Sequence, residues 1–421
     1  MNLNTKVKYI HSGMTGTEEV KNEFGSLVRI LKTVLVDGFN EVTSSGASVD
    51  NGVLTVNLNV GHGFLEHQVV SIKGSGNPLV DKEHRIKSIT NNSIKVNIPG
   101  LTNISGILTI KVAPLGYELV FNEIGAKGIA CFKNKNTVRP VILKVIDTLP
   151  PNGYNNSWAK YARVVAGYDL NEVGNFILNT KLPKDKDFPD LEVSGNGVQG
   201  ADGRHGYLKW DYAIRERQDN PNGEEAEEVI GIFPTDWQII GDDRTFYLFI
   251  KSAGKSVDSY NILSFGDIDS EQNTFILTGA DRNRPANDSS NFKSGVAWNI
   301  GLSRCQSFEG NFIANNLYDR YEPELRFTLC SFGFNNYWPS LSSNINSTDI
   351  TGGLLNTPAY IKDILGPYRG KMRGMYFIYN FTPYNGTMLK DTQIFLTTKK
   401  YNGKSQNEEN VCFLFSLEDW E

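Results

Sequence analysis

The apolar residues of this chain change their period near residue 40, and that change limits what the chain can fold into. From Ser26 to Asp37 they fall at Leu27, Val28, Ile30, Leu31, Val34 and Leu35. This is the spacing of an amphipathic helix. Ser26 is placed to cap its first turn, and Gly38 to end it in a left-handed conformation. The stripe must be buried against the next segment or a neighbouring subunit. Leu27, Ile30, Leu31 and Val34 are the expected interface positions. Beyond Asn40 the period becomes 2. Leu54, Val56, Leu58 and Val60 alternate with polar residues, as do Val70 and Ile72, then Ile94, Val96 and Ile98, then Leu108, Ile110 and Val112. Asn51-Gly52 is a strong hairpin signal, because both residues tolerate positive φ. Short strands joined by Gly and Asn turns predict a small barrel or sandwich over residues 41–114.

Pro114 to Gly116 marks the best boundary. The expected organisation is an N-terminal segment 1–40, a β module 41–114 and a larger β-rich domain 115–421, divisible near 180–230. Strand-like runs recur at Val141–Ile146, Ala162–Val165, Thr245–Ile250, Thr274–Thr278, Met375–Tyr379, Gln393–Thr398 and Val411–Phe415. Polar stretches such as Thr180–Asp190 and Gln218–Glu228 separate them. Long loops are uncommon in compact monomers unless they act, and here they are suited to wrapping neighbouring subunits. The 40 Gly, 23 Phe and 18 Tyr fit the same mainly β reading.

Charge and hydropathy exclude several function classes. The 42 Lys+Arg against 47 Asp+Glu leave a net charge of −5, so no basic surplus is available for nucleic acid. No apolar run approaches the ~20 residues a membrane helix needs. The opening residues lack the apolar core of a secretory signal, so the chain is expected to be made and kept in the cytoplasm unless it leaves by lysis or assembly. Cys131, Cys305, Cys330 and Cys412 are too widely spaced for zinc-ribbon pairs and are expected as buried reduced thiols.

The local motifs yield no catalytic, cofactor or metal residue. Gly195–Gly200 fits a dinucleotide string but is followed by glycine-rich sequence, not an apolar helix, and reads as a flexible loop. Asp267-Ile-Asp269-Ser-Glu271 lacks the glycine and flanking helices of a calcium loop and reads as a solvated turn. His11, His62, His67, His84 and His205 show no paired metal spacing, and His62, between two glycines, reads as a turn residue. Glu224–Glu228 reads as a solvated charge cluster, not a glycosidase acid/base pair. Tyr337 and Trp338 are the candidates for stacking on a sugar, a role aromatic residues share with interface anchoring.

Several segments carry a resemblance to a known family. They are Lys6–Met14, Gly25–Leu31, Leu35–Phe39, Gly61–Phe64, Val69–Gly74, Asp236–Leu248 with Phe265–Asp267, and Tyr368–Met375. Together they resemble virion structural proteins encoded among the tail genes of tailed bacteriophages and prophages. Gly61–Phe64 and Val69–Gly74 resemble a small β module used in fibre and baseplate proteins. The match spans most of the chain, with a gap around 180–230, and its motifs are structural, so it carries over no catalytic residue. It implies a particle component at the tail tip, baseplate or fibre, assembled as a ring or trimer with other virion proteins and located in the virion. Alternatives are a head or neck decoration protein and a fibre protein that binds a host surface glycan. A cytoplasmic enzyme is a further rival, though no local motif announces its pocket.

Overall fold

The computed structural model describes residues 4–150, 160–177, 181–182, 207–212, 215–217, 228–230, 234–251, 260–270, 274–279, 311–315, 325–330, 356–363, 368–378, 387–390, 393–400, 409–418 and 420. Among the described residues the fold is mainly β, with four antiparallel sheets, an N-terminal helical segment of 12 residues and a short helical turn at Ile124–Lys127.

That helical segment begins differently from expectation. Gly25, at φ 86°, takes the cap position, and Ser26 is the first helical residue. The Ser26 hydroxyl donates to the Glu19 carbonyl (3.1 Å) and accepts from the Lys21 amide (2.8 Å). The free amides of Leu27 and Val28 instead donate to one carboxylate oxygen of Asp147, at 2.9 and 3.2 Å. The α-helix Ser26–Lys32 widens into a π-turn over Thr33–Asp37 and ends at Gly38. Gly38 has positive φ but extended ψ (72°, 179°), so it is not the left-handed cap expected. A side chain there would collide with the Val112 carbonyl, a second reason for glycine.

The β module is a closed barrel. Its ladder runs Phe39–Thr43, Thr109–Val112, Val69–Lys73, Glu83–Thr90, Ser93–Asn97, Val53–Asn57, Gly46–Asp50. The first and last of these are consecutive in the chain. Ser44 donates to Leu108 O (2.8 Å) on one side and Ser45 to Asn57 O (2.9 Å) on the other, so one bent strand seals both ends. Asn51 (φ 48°) and Gly52 (φ 73°) make the predicted hairpin turn. Pro114–Gly116 leaves the barrel without becoming a loose linker. Leu115 donates to Val34 O, and Gly116 and Tyr117 donate to Leu35 O.

A second sheet contains Glu118–Asn122, Ile129–Lys133, Ile142–Ile146, Tyr161–Gly167, Lys181–Leu182 and Leu208–Asp211. A twelve-stranded sheet begins with Lys8–His11, passes through Trp237–Gly241, Thr245–Lys251, Tyr260–Asp267 and Thr274–Thr278, and ends among the strands between Asn356 and Ser416. Its central strands are buried on both faces. Phe246, Leu248 and Ile250 join one core with the helix, the barrel and the second sheet. Tyr247 and Phe249, alternating with them, join another with Met375, Phe377, Phe413 and Phe415. That double burial explains why Thr245–Lys251 reads as an unbroken apolar run, not an alternating one. The C-terminal strands lie back over the central ones, and paired amides of Asp269 and Lys371 stitch the fold-back at 3.0 and 3.1 Å.

Candidate functional site

The expected interface stripe lies inside the chain. Leu27, Ile30, Leu31 and Val34 are 0–1% exposed and pack in the first core. The helix needs no subunit to cover it, because the chain's own strands do so, and the stripe is not carried forward as an interface. Tyr337 and Trp338 lie outside the described residues, as do Gly195–Gly200, Glu224–Glu227 and Cys305. Cys131 and Cys412 are buried thiols, and burial pushes Cys412 up to about 12. His62 holds its turn, with Nδ1 accepting from the Phe64 amide at 3.0 Å and Nε2 lying 2.8 Å from Thr90 O. Among the described residues, no group of three or more His, Cys, Asp or Glu is placed to hold a metal ion. No described helix is long and apolar enough to cross a membrane.

Asp267 does not lie in a solvated turn. It belongs to a buried ionic cluster at the junction of the central and C-terminal strands, with the half-exposed Asp269 at its edge, and Glu271 lies outside the described residues. Asp267 is 2% exposed and accepts from Arg244 Nε at 2.8 Å and Asn134 Nδ2 at 3.2 Å. Asp242 accepts from the Arg244 and Thr245 amides (2.9 and 2.8 Å), which fixes the turn between two central strands. Its other oxygen accepts from Arg373 Nη2 at 2.8 Å. Burial pushes the Asp242 carboxyl above the usual carboxylate range, against the pull of Arg373. Tyr247 donates to the Arg373 carbonyl at 2.8 Å. Arg373 Nε and Nη1 and the Tyr117 hydroxyl are buried without hydrogen-bond partners among the described residues. The sequence signal was a charge inside a strand, Arg373 within the run Tyr368–Ile378, which only a buried partner makes tolerable.

A second junction forms where the N-terminal strand, the barrel and the C-terminal end meet. Arg85 projects from the barrel strand Glu83–Thr90. Its Nε donates to Asn4 O (2.9 Å), Nη1 to His67 O (2.6 Å) and Nη2 to Val7 O (2.7 Å), with Leu417 O 3.5 Å away. Every acceptor is a neutral carbonyl. Burial lowers the guanidinium to about 10. Beside it, Lys8 pairs with Glu83 at 3.0 Å. His67 holds a positive φ of 63°, rare for a side-chain-bearing residue. An open cleft of about 440 Å³ lies here, lined by Asn4, Thr5, His67, Lys82 to Lys87 and Asn97.

Neither junction presents a nucleophile aligned with a base, and the arrangements fix elements together. No family model matches the chain, and no curated protein matches it. One solved structure to which it is similar is titled "Phage phi92 endosialidase". That alignment has 11% identity and covers 90% of this chain and 52% of that one, with a TM-score of 0.14. The chain thus spans about half the length of that structure. This is a weak likeness to a phage protein, and at that score it carries no argument about activity or substrate.

Proposed function

We propose that the chain is a structural subunit of a tailed-phage virion, placed at the tail tip, baseplate or an associated fibre, and that it works by assembly with other virion proteins and copies of itself. The class comes from the sequence resemblance of the N-terminal, barrel and C-terminal segments. One structural observation supports it above the others. The buried charged groups of the described residues tie together elements far apart in the chain. Asp147 holds the helix start, Arg373 joins Asp242 across 131 positions, and Arg85 reaches both chain ends. Such ties make a rigid body suited to a particle. On this reading the chain has no catalytic residue and no cofactor, and its site of action is the particle.

Mass spectrometry of purified particles, with labelled antibody imaged by electron microscopy, tests the reading. The protein should appear in stoichiometric amount at one symmetric position. Its absence from intact particles would overturn the proposal, as would turnover of a small molecule by the purified chain at an enzyme's rate.

A further inference from the structure

We propose that the cleft at the Arg85 junction binds a small ligand through an anionic group, a carboxylate or a phosphate. This goes beyond assembly, because it assigns a ligand site on one face of the barrel. Three observations carry it. The cleft walls hold Lys82, Arg85 and Lys87 against one acid, Glu83, and that acid is already paired with Lys8 at 3.0 Å. Lys82 and Lys87 are exposed and form no ion pair among the described residues. Arg85 is a largely buried cation whose hydrogen-bond acceptors are all neutral carbonyls, so its charge has no counter-ion among the described residues. A partly buried charge without a partner is costly. An anion in the cleft would offset that cost and give the two lysines a partner.

The neutral lining fits the same ligand. Thr5, Asn4 and Asn97 also line the cleft, residues whose hydroxyl and amide groups can donate to anionic oxygens or pair with hydroxyls beside them. The floor is preorganised. Arg85 holds the backbone of Asn4, Val7 and His67, and the positive φ of His67 is fixed on both sides, by its amide on Ile86 O (3.0 Å) and its carbonyl on Arg85. A cation cleft gains affinity for a metal neither from its charge nor from its lining. An anionic sugar and free phosphate offer the same charged oxygens, so the experiment separates them.

Titration calorimetry of the full chain with glucuronate, with inorganic phosphate and with glucose tests the proposal. Glucuronate or phosphate should bind in the millimolar range, weakening with added salt, and glucose should not bind measurably. The K82Q/K87Q variant should bind about tenfold more weakly. Both substitutions are on exposed side chains, so the melting temperature should stay unchanged and folding is not in question. Binding of glucuronate alone identifies a saccharide carboxylate as the source, and binding of phosphate alone identifies a phosphate group. The proposal is overturned if neither anion binds, if glucose binds as well as glucuronate, or if the double variant binds like the parent. Absence of the protein from particles would sink the virion reading and leave this result standing.

Discussion

Asp147 sits where a helix start, a second-sheet strand end and Tyr212 meet. Its Oδ2 accepts from two helix amides, and the Tyr212 hydroxyl lies 2.7 Å from Oδ1 and 2.9 Å from Glu23 O. These bonds favour the ionised form, but burial outweighs them and pushes the carboxyl up. A raised folded-state value means that the neutral acid suits the fold better. Its contribution to stability is therefore fully present below the ordinary carboxylate range near ~4 and is lost as pH rises through the raised value. Asp147→Asn keeps one oxygen for the helix amides and cannot ionise. The stability advantage of the parent over this variant should shrink between acid and neutral pH in urea titrations. A constant difference would show that the carboxyl titrates normally. Asp147→Ala strands two buried amides and should cost about 2–4 kcal/mol in acid and less at neutral pH. Gly374 gives a second test at this scale. Its φ of 63° suits glycine, and a side chain would collide with the indole of Trp420, which donates to Ser416 O at 2.8 Å and packs edge-on to Tyr247. Gly374→Ala should lower the melting temperature by several degrees, a shift of ~1–3 kcal/mol.

Among the elements, the helix was legible because its period is local, and its buried face is the one the sequence marks. What covers that face was not legible. Cover comes from the barrel and also from strands as far on as Thr274–Thr278, and no spacing rule reaches so far. Leu31 is 0% exposed in a core shared with the barrel and the central strands. Leu31→Asp should therefore cost several kcal/mol in the isolated chain, on the order of the ~3–5 kcal/mol of a severe core lesion. Denaturation of the purified variant checks it, and an unchanged midpoint would return the stripe to the surface. Four barrel strands were readable from alternation and the turn from Asn51-Gly52, since a barrel has one wet face, but Phe39–Thr43, Gly46–Asp50 and Glu83–Thr90 were not. Trp237–Gly241 and Tyr260–Asp267 were missed because strands buried on both faces show no alternation. Glu118–Asn122 was missed for another reason. It is an edge strand whose pairing slips at a bulge beside Phe121, which breaks the period of 2. The ionic cluster was half visible. Asp267 and Asp269 stood out as a motif, but Arg244 and Asn134, the latter 133 positions away, decide that Asp267 is a buried group and not part of a loop.

At the scale of the whole molecule, the question is what fixes the C-terminal strands on the central ones. The second core joins them through apolar contact among Tyr247, Phe249, Phe377, Phe413 and Phe415. Area is non-directional and would tolerate sliding. The Arg373–Asp242 pair adds direction, at 2.8 Å with side chains 3% and 4% exposed. Its net worth is a separate matter. Two Arg373 nitrogens lack hydrogen-bond partners among the described residues, and burial pushes Asp242 up despite the guanidinium. Breaking a buried pair from one side exposes the cost of desolvation, and removing both sides relieves it. Arg373→Met alone should therefore cost about 3–5 kcal/mol, because the Asp242 carboxylate stays buried. In Asp242→Asn the remaining oxygen still accepts from the Arg244 and Thr245 amides, so the turn survives and the loss is chiefly of charge. The double variant should be clearly more stable than the sum of the two losses, with a coupling of about 1–3 kcal/mol in a denaturation cycle. Additive losses would mean that the two side chains act independently, and that apolar packing alone holds the C-terminal strands in place.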